Sequence, residues 1–231
     1  MNKFLLLFSI ILVLNICVFL QTAPPKDDFQ FWGETTVFIP IVKRKNSADK
    51  EVEKLVFFIN GALRIGRNIS RPVDERIGFG FEYYANKYLT LTPSYLYRAG
   101  QPFEGRKEYE HRARFDLTLG NKWSKFSLKD RSRFEYRIRN FRSDSVRYRN
   151  KLQLSIPVKK SSKEIFTSFV ATEPFYDFQA KQWTRNEFSA GITKKFSDNF
   201  TADFFFLLQK NRGNVLKTIN AFVVNFKIKI D

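Results

Sequence analysis

Cysteine, methionine and histidine occur once each in this sequence. The one cysteine, Cys17, sits in an apolar leader, so no disulfide framework is available. Without a His/Cys cluster no metal site is expected, and nothing in the chain implies a cofactor. Ten glycines and eight prolines are too few for a collagen-like or low-complexity chain. Beyond residue 20 no apolar run approaches the roughly 20 residues of a spanning helix. No stretch combines caps with a 3.6-residue period. What the chain has in quantity is positive charge and phenylalanine. Forty Lys/Arg against 23 Asp/Glu give +17, and 27 of the 231 residues are Phe. With 43% apolar and 17% aromatic residues the chain can bury a core, which argues against disorder.

Residues 1–23 read as a secretory signal. Lys3 supplies the positive start, Phe4 to Leu20 is apolar apart from Ser9 and Asn15, and Gln21-Thr22-Ala23 precedes Pro24-Pro25. The cleavage site is poorly marked. A retained anchor, or a lipoprotein box at Leu14-Asn15-Ile16-Cys17, are the alternatives. Export changes the meaning of the charge. A pI near 10 would ordinarily suggest nucleic acid, but an exported chain does not meet that partner. The rest, 24–231, reads as one domain.

That domain alternates with a period of two almost throughout. Over 109–119, Tyr109, His111, Ala113, Phe115, Leu117 and Leu119 share one face against Glu110, Arg112, Arg114, Asp116 and Thr118. Over 126–139, Phe126, Leu128, Phe134, Tyr136 and Ile138 share a face that Asp130 and Ser132 interrupt. The segments 146–158 and 216–230 follow the same rule. Further candidates are 29–41, 55–66, 75–85, 88–98, 165–176, 183–196 and 200–210, eleven strands in all. Many exceed the ordinary strand length of about 5–6 residues and reach the roughly 9–11 that a membrane-spanning strand needs.

Connections are expected to alternate, short at 86–87, 120–122, 159–162 and 197–199, longer at 67–74, 99–107, 140–145, 177–182 and 211–214. Short turns on one side and longer loops on the other fit an outer-membrane barrel. From 55 onward this gives ten strands. Segment 29–41 breaks the parity: either a twelfth strand lies near 42–54, or 29–41 does not span.

Apolar-out, polar-in alternation predicts an antiparallel up-and-down transmembrane β-barrel of 10–12 strands. A soluble sandwich or lipocalin-like periplasmic barrel is the alternative. Trp32, Tyr83, Tyr84, Tyr88, Tyr95, Tyr97, Trp123, Tyr136, Tyr148, Tyr176 and Trp183 are expected on the apolar face or near strand ends, as interfacial girdles require. Outer-membrane lipid and the barrel-assembly machinery are the expected partners.

The polar face is a set of charges: Arg112, Arg114, Lys129, Arg131, Arg133, Arg137, Arg139, Arg147, Arg149, Lys151 and Arg185 with Glu110, Asp116, Glu135, Glu173 and Glu187. Guanidiniums should pair with carboxylates on neighbouring strands. Eleven cations against five anions leave room for an anion-attracting lumen or a site for a phosphate- or carboxylate-bearing ligand. Ten to twelve strands exclude a wide aqueous pore, which takes about 16–18.

No catalytic constellation stands out, and no enzyme is expected. His111 falls on the apolar face, whereas Ser-His-Asp catalysis would need it inward or at a rim beside a serine. Gly78-Phe79-Gly80 lies in a strand with no helix after it and is not a phosphate loop; glycine there relieves crowding or permits bending. In Arg133-Phe134-Glu135-Tyr136-Arg137 the arginines and the tyrosine fall on opposite faces, so they do not form one nucleic-acid surface.

Trp32, then Arg133-Phe134-Glu135-Tyr136-Arg137, Arg147-Tyr148-Arg149-Asn150, Glu173-Pro174-Phe175-Tyr176, Arg185 and Gly191 follow one another in an order that resembles a known family. It is the bacterial outer-membrane barrel family filed as domain of unknown function twenty-four-ninety. The resemblance implies a small outer-membrane barrel with inward Arg and Glu, and no established activity. Such barrels often end in an aromatic residue; here the last aromatic is Phe226, before Ile228-Lys229-Ile230-Asp231. The expected role is structural or pore-like. A narrow anion channel or ligand site, a lipid-modifying barrel enzyme and a soluble binding barrel are the alternatives.

Overall fold

The computed structural model describes residues 26–45, 49–103, 105–161, 163–213 and 216–230. The segment 1–23, read above as a secretory signal, lies outside the described residues. Eleven strands form one sheet: β1 (Asp27–Lys45), β2 (Glu51–Gly66), β3 (Arg71–Tyr84), β4 (Leu89–Phe103), β5 (Arg106–Lys122), β6 (Ser127–Arg139), β7 (Ser145–Lys160), β8 (Lys163–Asp177), β9 (Gln182–Lys195), β10 (Phe200–Asn211) and β11 (Thr218–Lys229). Each pairs with the next in antiparallel register, and the sheet closes into a barrel through β1 and β11. Closure satisfies every strand edge, which a wall in hydrocarbon requires.

The closing pair is parallel, from Asp27 opposite Thr218 to Phe38 opposite Lys229. This corrects the expectation of a wholly antiparallel barrel. It also removes the parity problem, because neither proposed solution holds. Segment 29–41 spans as the middle of β1, and residues 51–54 begin β2 rather than forming a twelfth strand. Parity demands an even count only when the seam is antiparallel.

The expected contrast between short and long connections is absent as well. One rim, carrying the β1–β2, β3–β4, β5–β6, β7–β8 and β9–β10 connections, has links of two to five residues. The other has links of two to six. Segments read as loops stay in the ladder: Arg71, Pro72 and Asp74 pair with β2, while Ala99 and Gly100 pair with β5. Extending a ladder satisfies backbone donors that a loop would leave to water. One tight turn lacks glycine. Arg67, Asn68 and Ile69 all take positive φ. The Asp28 carboxylate accepts from the amides of Arg67 at 3.1 Å and Asn68 at 2.8 Å, tying this turn to β1.

Two-residue periodicity sets the two faces of the wall. Along β5 the burial alternates from Glu108 to Asp116, with every charged residue inward and every apolar one outward. Outside, Ile77, Phe79, Phe134, Phe206 and Phe222 are 44–60% exposed. A wall apolar outside and charged within is inverted relative to a soluble domain and suits hydrocarbon as its solvent. Ring pairs knit the outer face across strands, Phe31 on Phe222 over the seam and Phe134 on Tyr148 between β6 and β7.

The aromatic expectation needs one correction. Trp32 is 5% exposed and faces the lumen, where the Arg64 guanidinium lies 3.4 Å from its ring centroid. Tyr84 also turns in and donates to Glu82 at 2.6 Å. Both sit on the charged face of their strands. Strand-end position alone did not reveal that.

A charged lumen in two chambers as the candidate functional site

The inward residues of β3 to β9 build a cross-strand ladder of ion pairs. Asp116 on β5 is gripped by two nitrogens of Arg133 on β6, each at 2.6 Å. Glu110 receives Arg112 at 2.9 Å, together with Arg137 from β6. Glu135 is shared by Arg147 and by Arg149, the latter at 3.2 Å. Glu173 on β8 takes Arg131 at 2.7 Å and Arg149 at 2.9 Å. Glu187 faces Arg185 at 3.5 Å, and Arg185 also donates to Asn211. Glu110 and Glu135 are completely buried. A charge so placed is tolerable only because its oxygens are taken up by guanidiniums.

The charged positions expected inside fall on the inward side of their strands, and they divide into two kinds. Arg112, Arg131, Arg133, Arg137, Arg147, Arg149 and Arg185 are paired with carboxylates. Arg139 instead donates to the Ser143 carbonyl at the rim. Arg114 reaches only the hydroxyl of Ser94, at 3.1 Å. Lys129 and Lys151 have no carboxylate partner among the described residues, although Lys151 stands opposite Arg131 and Lys129 lies two residues from it.

Sequence reasoning missed a second set of pairs near the other rim. Asp74 on β3 binds both Arg76 and Arg98, and Glu108 takes Arg98 at 3.1 Å and Arg106 at 2.9 Å. The signal was present, since Arg76 and Arg98 alternate with Ile77, Tyr97 and Ala99. Reading 67–74 and 99–107 as loops hid it.

The opposite arc of the lumen is apolar. Trp32, Leu207, Ile219, Ala221 and Val223 pack together along β10, β11 and β1, with Phe205 against them. Phe175 on β8, 1% exposed, lies under three guanidiniums, with Arg149 4.2 Å from its ring.

Two chambers result. One, of about 340 Å³, opens toward the β3–β4 rim; the other, of about 480 Å³, toward the β2–β3 rim. Arg64, Arg76, Arg112, Arg149 and Glu187 line both and form the waist between them. The first chamber contains Arg114, Lys129, Arg131 and Lys151 on one side and Trp32, Phe205, Leu207 and Val223 on the other. Within its lining, Arg131 Nε and Asn60 Oδ1 are buried without a hydrogen-bond partner.

The glycines noted in β3 are crowded rather than catalytic. A Cβ on Gly78 would stand 2.8 Å from the Tyr95 carbonyl, and one on Gly80 would stand 2.6 Å from that of Pro93. His111 faces outward between Tyr95 and Tyr97, its Nδ1 2.6 Å from the Tyr95 hydroxyl.

A closed wall of eleven strands with a polar lumen defines a β-barrel of the transmembrane type. The chain belongs to the family described as Protein of unknown function (DUF2490), whose model matches residues 29–218. This agrees with the resemblance carried by the Arg133–Arg149 and Glu173–Tyr176 segments. Among solved structures the chain is similar to the NanC porin, with a TM-score of 0.50 and 11% identity over 88% of this chain and 99% of that one. It is also similar to LpxR from Salmonella typhimurium, with a TM-score of 0.46 and 11% identity over 72% of this chain and 81% of that one. No curated protein matches the sequence.

Proposed function

We propose that this protein is a small outer-membrane barrel whose lumen admits and holds small organic anions. The observation that carries the reading is the first chamber. Its cations Arg114, Lys129 and Lys151 have no carboxylate partner among the described residues, and they face an apolar arc formed by Trp32, Phe205 and Leu207. Nine Lys and Arg residues line this chamber against five Asp and Glu, and such an excess of cations in a narrow space attracts anions and repels cations. The apolar arc gives the carbon body of a carboxylate or phosphate ester a surface to lie on, as in most ligand pockets. The waist, lined by four arginines and one glutamate, limits the size of what passes.

The test is conductance in planar bilayers under a salt gradient. Small unitary steps with a reversal potential on the anion side support the reading. A cation-side reversal potential overturns it. Outer-membrane residence is checked by envelope fractionation with unboiled and boiled gel mobility; release by osmotic shock with no heat-dependent shift would contradict it.

A further inference from the structure

The outer wall is not uniform. On β10, β11, β1, β2 and β3 its middle is Phe-rich, with Phe206, Phe222, Phe31, Phe57 and Phe79. On β6 to β9 the same zone carries Asp130, Ser132, Asn150, Thr172 and Asn186. These residues lie inside the apolar band rather than at a rim: Leu128 and Phe134 flank the first pair, and Tyr148 and Leu152 flank Asn150. They bond to one another. The Asn150 amide donates to Asp130 at 2.6 Å and to the Ser132 hydroxyl at 3.3 Å. The Ser132 hydroxyl shares a bond with that of Tyr148 at 3.0 Å. Thr172 donates to Asn186 at 3.3 Å.

Part of this hydrogen-bonding capacity stays unused. The second Asp130 oxygen, the Asn150 carbonyl oxygen and the Asn186 amide nitrogen have no partner among the described residues. Lipid tails offer none, and a carboxylate on a lipid-facing wall is unfavourable. Polar groups of this kind, with small residues beside them, mark protein–protein contact within membranes. Small residues are present here, at Ser168 and Ala190 on the same face.

We propose that the β6–β9 face is the contact surface between two copies of this chain. The groups left unused on it include both acceptors and a donor, so the face is complementary to itself, as a two-fold contact requires. Two barrels inserted in the same direction are related by an axis parallel to the barrel axis. An axis running along β8 sets β7 of one copy against β9 of the other. Asn150 lies five residues from the rim at Ser145, and Asn186 four residues from the same rim at Gln182. The unused Asn150 carbonyl oxygen of one copy therefore meets the unused Asn186 amide of the other at closely similar depth, with Thr172 of both copies beside the axis.

The experiment is cross-linking in the native envelope. Copies carrying two different tags are expressed together, with Cys17→Ser as background and Thr172→Cys as the reporter, and treated with a short thiol–thiol cross-linker. A product of twice the chain mass that contains both tags is expected. Phe79→Cys, on the opposite wall, should give none. If Thr172→Cys links no better than Phe79→Cys, or links only to a different protein, the proposal falls. The pair Asp130→Leu with Asn150→Leu should keep the heat-dependent mobility shift of a folded barrel and lose the cross-link; an unchanged yield would also overturn it. Should Thr172→Cys not give a folded barrel, Ser168→Cys on the same strand replaces it.

Discussion

Arg133 and Asp116 stand directly opposite each other across β6 and β5, and the guanidinium holds the carboxylate through two parallel bonds of 2.6 Å. This fork geometry fixes both side chains and the register of the two strands at once.

The first prediction concerns that pair. Asp116→Ala leaves a guanidinium facing a buried space and should cost about 3–5 kcal/mol. Adding Arg133→Met should recover most of the loss, because no lone charge then remains. Denaturant unfolding of the refolded barrel, followed by gel mobility, checks both. A double variant as unstable as the single one would mean that the pair does more than neutralise itself.

The inward and outward faces can be told apart on one strand. Leu154 points out from β7 and Lys151 points in. Leu154→Arg should cost about 2–4 kcal/mol near the mid-plane of the wall, while Lys151→Gln should change stability little. Equal effects on folding into detergent would contradict the register.

Gly191 is held against β10. A Cβ there would come within 2.2 Å of the Phe204 carbonyl oxygen and 2.6 Å of the Phe205 Cα, both backbone atoms. Neither can swing aside without parting the ladder. Gly191→Ala should destabilise by about 1–3 kcal/mol, the range for overpacking a filled site. Gly61, whose Cβ would meet nothing within 4 Å, is the control, and Gly61→Ala should be close to neutral.

Ion preference should follow the unpaired lumen cations. Lys129→Glu with Lys151→Glu reverses two charges in the first chamber and should move the reversal potential toward cations. Lys122→Glu, an exposed position at the end of β5, should leave it unchanged. Equal shifts from both would mean that general surface charge governs the preference.

Much of this was legible in the sequence because strand side chains alternate. The 109–119 and 126–139 segments give both faces outright, and the charged side of each becomes the lumen ladder. What the sequence hid has physical causes. Asp74, Arg98 and Glu108 lay in or beside stretches read as loops, because Pro72, Gly100 and Pro102 resemble turn residues. The bulge between Arg64 and Ile65 shifts the β2–β3 pairing near that same end. Trp32 reads as a girdle residue from its place near the start of a strand, but Asp28 and Gln30 share its inward side, and its indole N–H donates to Gln30, which in turn donates to Asp28. Pairing between lumen charges was expected in kind, but which guanidinium meets which carboxylate depends on register across strands, and a single sequence does not encode that visibly.

The parallel seam between β1 and β11 has a topological consequence. The start of β1 and the end of β11 emerge on opposite sides of the barrier, whereas an even-numbered barrel returns both to one side. A protease confined to one compartment therefore reaches only one of two tags placed before Asp27 and after Lys229. The same asymmetry means that one tail of the chain has to be carried across the bilayer during insertion, separately from the hairpins that fold between.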